Sequence, residues 1–153
     1  SKILYFLFLI FIPILIFNVV WWKVLLSFVI MHYTAGLILS LVFQLAHIMD
    51  EADMPLPDSN GNIKNSWAIH QLNTTVNFAA KSKLVNWFTG GLNFQVEHHL
   101  FPFVCHVHYP KLSPIGRRVA EKYAIPYQQL PSLGSAIAGH ANMLYQLGKG
   151  YTK

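Results

Sequence analysis

The chain begins with two long apolar segments, and these restrict the possible folds more than any other feature. Residues 3–20, ILYFLFLIFIPILIFNVV, and residues 24–46, VLLSFVIMHYTAGLILSLVFQLA, contain no charged side chain. As helices, these 18 and 23 residues would reach about 27 and 34 Å, enough to cross a hydrocarbon core about 30 Å thick. Neither segment has the polar stripe expected of a helix on the surface of a soluble core. We therefore predict a transmembrane helical hairpin over residues 1–46.

The charge distribution supports this topology. The turn of the hairpin is predicted near Asn18 to Lys23, with Trp21 and Trp22 at the membrane interface. The first 46 residues contain two basic and no acidic residues, whereas the remainder contains nine basic and six acidic residues. This mildly basic remainder is predicted to lie on the cytoplasmic side. No basic block or RNA-binding aromatic motif is present, so nucleic acid is not an expected partner.

The remaining sequence predicts further helices and no strand. Residues 49–65 are acidic and rich in turn residues, so they are predicted to form a loop. Helices are predicted from about Ser66, over 91–100 up to Pro102, between Pro114 and Pro126, and from Ser132 to Gly148. The expected class is an all-α membrane protein, in which a transmembrane hairpin precedes a cytoplasmic helical metal-binding region.

A glutamine and two histidines form the most informative polar cluster. If residues 91–100 are helical, then Gln95, His98 and His99 lie at positions i, i+3 and i+4 of one face, where side chains are neighbours. Imidazole binds iron, copper and zinc well. We favour a metal site over a plain polar helix face, because the cluster is flanked by large apolar residues. Glu97 points to another face and is predicted to be at the surface or to support a ligand.

The other histidines are weaker candidates for metal ligands. His47 ends the second apolar segment, where it could bind a metal just outside the bilayer. His70 is predicted to lie within a helix, as a ligand, a hydrogen-bonding partner of a ligand, or a structural residue. His106 and His108 alternate in a segment that is predicted to be extended, and they either complete the site or lie beside it. Structural roles are predicted for the remaining pair, His32 and His140.

The segment QVEHHLFP, residues 95–102, resembles the third histidine box of the membrane fatty acid desaturases. It is similar to the front-end group, which has Q-x-x-H-H where most desaturases have H-x-x-H-H. FQLAH, residues 43–47, resembles the additional histidine of that family. WAIHQLNTTVNFA, residues 67–79, and CHVHYPKLS, residues 105–113, resemble the bacterial acyl desaturase branch. The resemblance covers nearly the whole chain.

The resemblance implies an oxidoreductase with two non-haem iron ions. Such an enzyme uses O₂ and two electrons to introduce a double bond into an acyl-CoA or acyl-lipid, and it receives the electrons from a cytochrome b-type protein or a ferredoxin. Gln95, His98 and His99 would be catalytic, and they would bind metal together with His47. The implied location is the bacterial inner membrane, which the chain would cross more than once, with the active site on the cytoplasmic face.

The family also has two earlier boxes, H-x-x-x-H and H-x-x-H-H, and neither spacing occurs in this chain. We therefore expect residues 1–153 to be the C-terminal part of a desaturase domain, with the hairpin at 1–46 and the metal-binding region at 47–153. The isolated part is expected to be inactive. Two alternatives remain open: a lipid hydroxylase or sphingolipid desaturase of the same superfamily, and a membrane-bound metal-binding module without catalysis.

Overall fold

The computed structural model describes residues 1–50, 52, 53 and 55–150. By internal contacts the chain divides into two compact units, Ser1–Ser40 and Leu41–Lys153. Its helices are α1 (Lys2–Phe6), α2 (Ile12–Leu15), α3 (Trp21–Gln44), α4 (Trp67–Thr74), α5 (Lys83–Phe88), α6 (Gln95–Leu100), α7 (Tyr109–Lys122) and α8 (Leu133–Gly148). The described part of the chain is thus mostly helical, as predicted.

The first unit contains an apolar helical segment followed by most of α3. A π-helical turn, Leu7–Phe11, joins α1 to α2, and helical structure ends at Leu15, before the turn predicted near Asn18 to Lys23. The segment contacts α3 through Tyr5, whose hydroxyl hydrogen-bonds the His32 imidazole and whose ring packs edge-on against Phe28. Among the described residues, only α3 is long and apolar enough to cross a membrane.

The second unit is built around a small apolar core. Its buried residues come from the chain after α3, from the segment after α4 and from α8: Leu45, Ala46, Met49, Ala52, Val76, Phe78, Ala79 and Ala136. Two contacts fix the segment after α3 to the rest of this unit. The Val76 backbone N–H donates to the Ala46 carbonyl at 3.1 Å, and the His140 ring, on α8, hydrogen-bonds the Ile48 carbonyl at 2.7 Å.

A short parallel strand pair is present that the sequence did not predict. Strand β1 (Asn77–Phe78) pairs with β2 (Gln129–Leu130), so the prediction of an all-α fold is wrong in this detail. The helix predicted from about Ser66 ends at Thr74, because the chain becomes extended at Thr75 and continues into β1. The Thr75 hydroxyl donates to the Gln71 carbonyl, and the β-branched residues 74–76 favour extended backbone.

The helices near the Q-x-x-H-H motif also differ from the prediction in their boundaries. Helix α6 begins at Gln95, because Gly90 and Gly91 have positive φ values of 60° and 84° and form a turn before it. His106–His108 forms a 3₁₀ turn instead of an extended segment. Helix α7 contains Pro114 instead of starting after it; proline lacks the N–H that would donate to the carbonyl four residues earlier.

The last helix agrees with the prediction. Helix α8 follows Ser132, whose hydroxyl accepts from the Ser135 N–H at 3.0 Å, and the Ser135 hydroxyl accepts from the Ser132 N–H at 3.2 Å. This reciprocal arrangement satisfies backbone donors that a helix start leaves unpaired.

Candidate metal centre

Helix α6 positions the side chains of the Q-x-x-H-H motif. Gln95 begins the helix and is 5% exposed. The side chain of Asn77, on β1, accepts a hydrogen bond from the Val96 N–H at 2.9 Å, so strand β1 fixes the start of α6. His98 and His99 follow in the last turn and are half-buried. The helical spacing therefore places all three motif residues on one side, as predicted.

Gln95 brings together two imidazoles that are distant in the sequence. Its Nε2 lies 2.9 Å from His47 Nε2 and 3.2 Å from His99 Nε2, and the two rings are 5.0 Å apart between centroids. An amide nitrogen can only donate hydrogen bonds, so both Nε2 atoms act as acceptors. Two imidazole lone pairs thus converge on one point, an arrangement that suits a cation as well as it suits an amide N–H₂ group.

Gln71 of α4 fixes the orientation of His99. Its Oε1 lies 2.7 Å from His99 Nδ1, and because Oε1 is an acceptor, the proton of the ring resides on Nδ1. The Nε2 lone pair then faces Gln95 and His47. Metal-binding histidines commonly donate their other N–H to such a partner. Gln71 was not among the residues predicted from the sequence, since only its neighbour His70 carried a recognisable signal.

Burial keeps both imidazoles of this cluster neutral. It is the largest of the effects that together lower the pKa of His99 to about 4; the nearby His47 and His98 act in the same direction. Burial also lowers the pKa of His47; a hydrogen bond to the Thr74 backbone opposes this effect, and His98 reinforces it. A neutral imidazole has a free lone pair, which is the form that binds a metal ion.

The donor set fits a transition metal such as iron, with part of its coordination supplied by these residues. Gln95 Oε1 is buried and has no hydrogen-bond partner among the described residues. The amide therefore has an unused oxygen next to two imidazole lone pairs. Within the described ranges, no three His, Cys, Asp or Glu side chains form a metal-sized group. His47, His99 and Gln95 thus present two imidazole donors and one amide oxygen that could supply part of the coordination of a metal ion.

His98 and the three weaker candidates lie outside the contacts made by Gln95. The His98 ring is edge-on to His99 at 5.6 Å, and its Nδ1 is 3.4 Å from the Tyr109 hydroxyl. His70 Nδ1 is buried without a hydrogen-bond partner among the described residues. His106 and His108 are exposed in the 3₁₀ turn. Their role as ligands stays a prediction.

Glu97 is buried beneath the motif, so its predicted alternative of a surface position is wrong. It is 1% exposed. Its Oε2 accepts from Asn77 Nδ2 at 2.7 Å, and its Oε1 accepts from the Tyr127 hydroxyl. Asn77 Nδ2 also donates to the Tyr127 oxygen at 2.8 Å, and Ser113 Oγ lies 2.8 Å from that oxygen. Burial raises the pKa of Glu97, although the hydrogen bonds from Tyr127 and Asn77 act in the opposite sense.

Known proteins that are similar to this chain are fatty acid desaturases. The sequence profile of the family described as fatty acid desaturase matches residues 1–131. The chain is 40% identical over 128 residues to the sn-1 linoleoyl-lipid 6-desaturase of Synechocystis sp., covering 83% of this chain and 36% of that protein. It is 40% identical over 113 residues to the acyl-lipid (8-3)-desaturase of Physcomitrium patens, covering 74% and 23%.

A third relative is the Delta(5) fatty acid desaturase A of Dictyostelium discoideum, which is 38% identical over 125 residues, covering 79% of this chain and 27% of that protein. The chain therefore spans about a quarter to a third of the length of these relatives. No solved structure matches the chain.

Proposed function

The chain belongs to the fatty acid desaturase family, and from this membership we propose that it forms the C-terminal part of a membrane-bound, front-end acyl desaturase. The observation that carries the proposal is the convergence of His47 and His99 on Gln95. Gln95 belongs to the Q-x-x-H-H motif, and His47 is the additional histidine after the membrane-length helix. The complete reaction would convert a –CH₂–CH₂– unit, O₂, two electrons and two protons into a –CH=CH– unit and two water molecules.

The residues of this chain have separable tasks in that reaction. His47, His99 and Gln95 would hold iron, and His98 would contribute to the same centre or to a second iron beside it. Bound iron would supply the oxidising power that an unactivated C–H bond requires. Gln71 keeps the proton of His99 on Nδ1, and burial keeps the imidazoles neutral. Additional ligands for a two-iron centre would come from other parts of the desaturase, because the chain corresponds to 36% of one relative.

We propose an acyl chain esterified to a lipid as the substrate class, with acyl-CoA as the alternative carrier. The named relatives include a linoleoyl-lipid 6-desaturase and an acyl-lipid (8-3)-desaturase. An apolar acyl chain partitions into a bilayer, so a membrane enzyme can receive its substrate there. A cytochrome b-type protein or a ferredoxin would supply the electrons. We also propose that 1–46 cross the membrane as a hairpin and that 47–153 lie on the cytoplasmic face.

The test is product analysis of the longest reading frame that encodes this chain. Cells that express it and receive linoleic acid should form a more unsaturated fatty acid, which gas chromatography with mass spectrometry identifies. The His99→Ala protein should lose the product and bind less iron per protein, because His99 Nε2 belongs to the cluster. The control is Lys111→Ala, since Lys111 is exposed and is not a candidate ligand.

Other outcomes would replace the proposal. A hydroxylated fatty acid, or a product made only from a sphingoid base, would favour the alternative reactions of the superfamily. Iron binding without any product, in cells that contain a competent electron donor, would favour a metal-binding module without catalysis. Equal iron content in the wild-type and His99→Ala proteins would remove the metal site itself.

A further inference from the structure

Helix α5 presents an apolar face that no described residue of its own unit covers. Leu84, Trp87 and Phe88 are 73%, 78% and 58% exposed. They occupy positions i, i+3 and i+4, so they share one side of the helix. Large exposed apolar patches are rare on water-facing surfaces and mark contacts with a partner or a membrane. Val85, on the other side of α5, packs against the core of the unit.

The charges around this face fit a membrane surface. Lys81 and Lys83 are exposed at the start of α5, and no acidic residue occurs between Asp58 and Glu97. A basic margin beside Trp, Phe and Leu is the composition of helices that lie in the lipid headgroup region. Lysines near the surface attract anionic lipids, and the indole of Trp prefers the interface.

An apolar cleft of about 230 Å³ lies between α5 and the last turn of α3. Leu84 and Phe88 line one side, and Leu41 and Val42 of α3 line another. Helix α3 is long and apolar enough to cross a bilayer, so its final turn marks the level at which the chain leaves the hydrocarbon region. If α3 crosses the bilayer, the helix that shares a cleft with its final turn would lie near the same level.

We propose that α5 is an interfacial helix, which inserts Leu84, Trp87 and Phe88 into the headgroup and acyl boundary of the bilayer. Lys81 and Lys83 would then face the lipid phosphates. This contact would give the second unit its own attachment to the membrane, in addition to α3. It rests on the proposal that α3 crosses the membrane, and it is independent of the reaction assigned to the histidine cluster.

Site-directed spin labelling tests this contact in the complete protein reconstituted in vesicles that contain anionic lipid. A cysteine for the label is introduced by Leu84→Cys, Trp87→Cys or Phe88→Cys, one at a time, with Cys105→Ser and any further reactive cysteine replaced. Power saturation then compares collisions with O₂, which concentrates in the bilayer, and with a water-soluble nickel chelate. Val29→Cys, in the middle of α3, provides the lipid reference, and Arg118→Cys, exposed on α7, provides the water reference.

The expected result is that O₂ collisions exceed chelate collisions at all three α5 positions, as at Val29, whereas the order is reversed at Arg118. Chelate collisions in excess at the α5 positions would show a water-facing helix and overturn the proposal. Low accessibility to both reagents would show that protein covers the face, and would overturn it as well. Product formation by the same labelled proteins distinguishes these results from a failure of the proposed desaturase function.

Discussion

Gln95 joins the segment after the membrane-length helix to the Q-x-x-H-H motif. Its amide nitrogen donates to both His47 and His99, while its oxygen has no partner among the described residues. An amide has one donor end and one acceptor end. The same side chain can therefore bridge two imidazoles when no cation is present, and it can offer a carbonyl oxygen when a cation is bound.

Gln71 should control the metal affinity of the site without binding the metal itself. The Gln71→Leu change keeps the approximate volume but removes the acceptor for His99 Nδ1. The proton can then move to Nε2, and the ring can rotate. Loss of such a partner typically lowers metal affinity or activity about 10–100-fold. The measurement is iron binding by the complete protein in a competition titration with a chelator.

Gln71→Glu is the matched variant, because it keeps an acceptor at the same position. It should retain most of the affinity that the leucine variant loses. Equal affinity of the wild-type and Gln71→Leu proteins would mean that the contact between Gln71 and His99 does not orient a ligand.

The low pKa of His99 predicts a pH dependence of stability in the metal-free protein. Its pKa is about 4 in the folded chain and 6.5 as the ordinary value, so the folded state binds fewer protons than the unfolded state between these values. The stability contribution of His99 is thus fully present above pH 6.5 and is lost as the pH falls toward 4. Thermal unfolding of chelator-treated protein between pH 7 and 4.5 should show this loss.

Replacing the His99 imidazole by an amide removes its contribution to the pH dependence of stability and leaves the contributions of the other titrating groups. The melting temperature of His99→Asn should fall less steeply with decreasing pH than that of the wild type. The control His108→Asn should keep the wild-type slope, because His108 is exposed. Parallel slopes for all three proteins would show that burial does not hold His99 neutral.

At the scale of elements, the buried network around Glu97 connects α6 to three other parts of the second unit. Asn77 belongs to β1, Ser113 belongs to α7, and Tyr127 precedes β2. All the donors of this network have an acceptor when Glu97 is ionised: Asn77 donates twice, and the hydroxyls of Tyr127 and Ser113 donate once each. The network therefore fixes the helix that carries the Q-x-x-H-H motif.

A reciprocal exchange tests the pairing of Asn77 with Glu97. Asn77→Asp places a second carboxylate against Glu97 in a buried site, where an uncompensated charge typically costs about 3–5 kcal/mol. We expect a lower melting temperature and less iron per protein. Adding Glu97→Gln supplies an amide N–H₂ opposite the new carboxylate and should restore most of both quantities. A double variant as impaired as Asn77→Asp alone would contradict direct pairing.

The periodicity of the sequence was sufficient to predict most helices, but it did not predict the contacts between them. Helices α3 and α8 have long apolar patterns, and a serine cap marks the start of α8, so both could be predicted. Strands β1 and β2 have two residues each and lie 52 positions apart at Asn77 and Gln129. Their pairing depends on tertiary contacts, and no local alternation of apolar residues indicates it.

The residues of the candidate site likewise divide into those that the sequence predicted and those that depend on tertiary packing. The motif spacing predicted Gln95, His98 and His99, and the position at the end of an apolar segment predicted His47. Gln71 and the buried state of Glu97 could not be predicted, because both depend on which elements pack together. Glu97 was predicted to point to another helix face than His98, and only the tertiary packing decides that this face meets the core.

At the scale of the whole molecule, the remaining question is the side of the membrane on which each segment lies. Helix α3 can cross a bilayer, whereas the apolar helical segment Lys2–Leu15 is shorter. At 1.5 Å per residue it reaches about 21 Å, which would require local thinning of the bilayer or interfacial placement of its ends. Its contacts with α3 through Tyr5 favour a second crossing beside α3.

We predict that residues 16–20 lie on the opposite side of the membrane from the second unit. Lys64 and Lys111 are exposed in the second unit, and Asn18 is exposed between α2 and α3. In the Cys105→Ser protein, Lys64→Cys and Lys111→Cys should react with a membrane-impermeant maleimide only after the cells are permeabilised. Asn18→Cys should react in intact cells. Labelling of Lys64→Cys and Lys111→Cys in intact cells would reverse the orientation. If Asn18→Cys instead reacted only after permeabilisation, together with the other two, the apolar segments would not form a membrane-crossing hairpin.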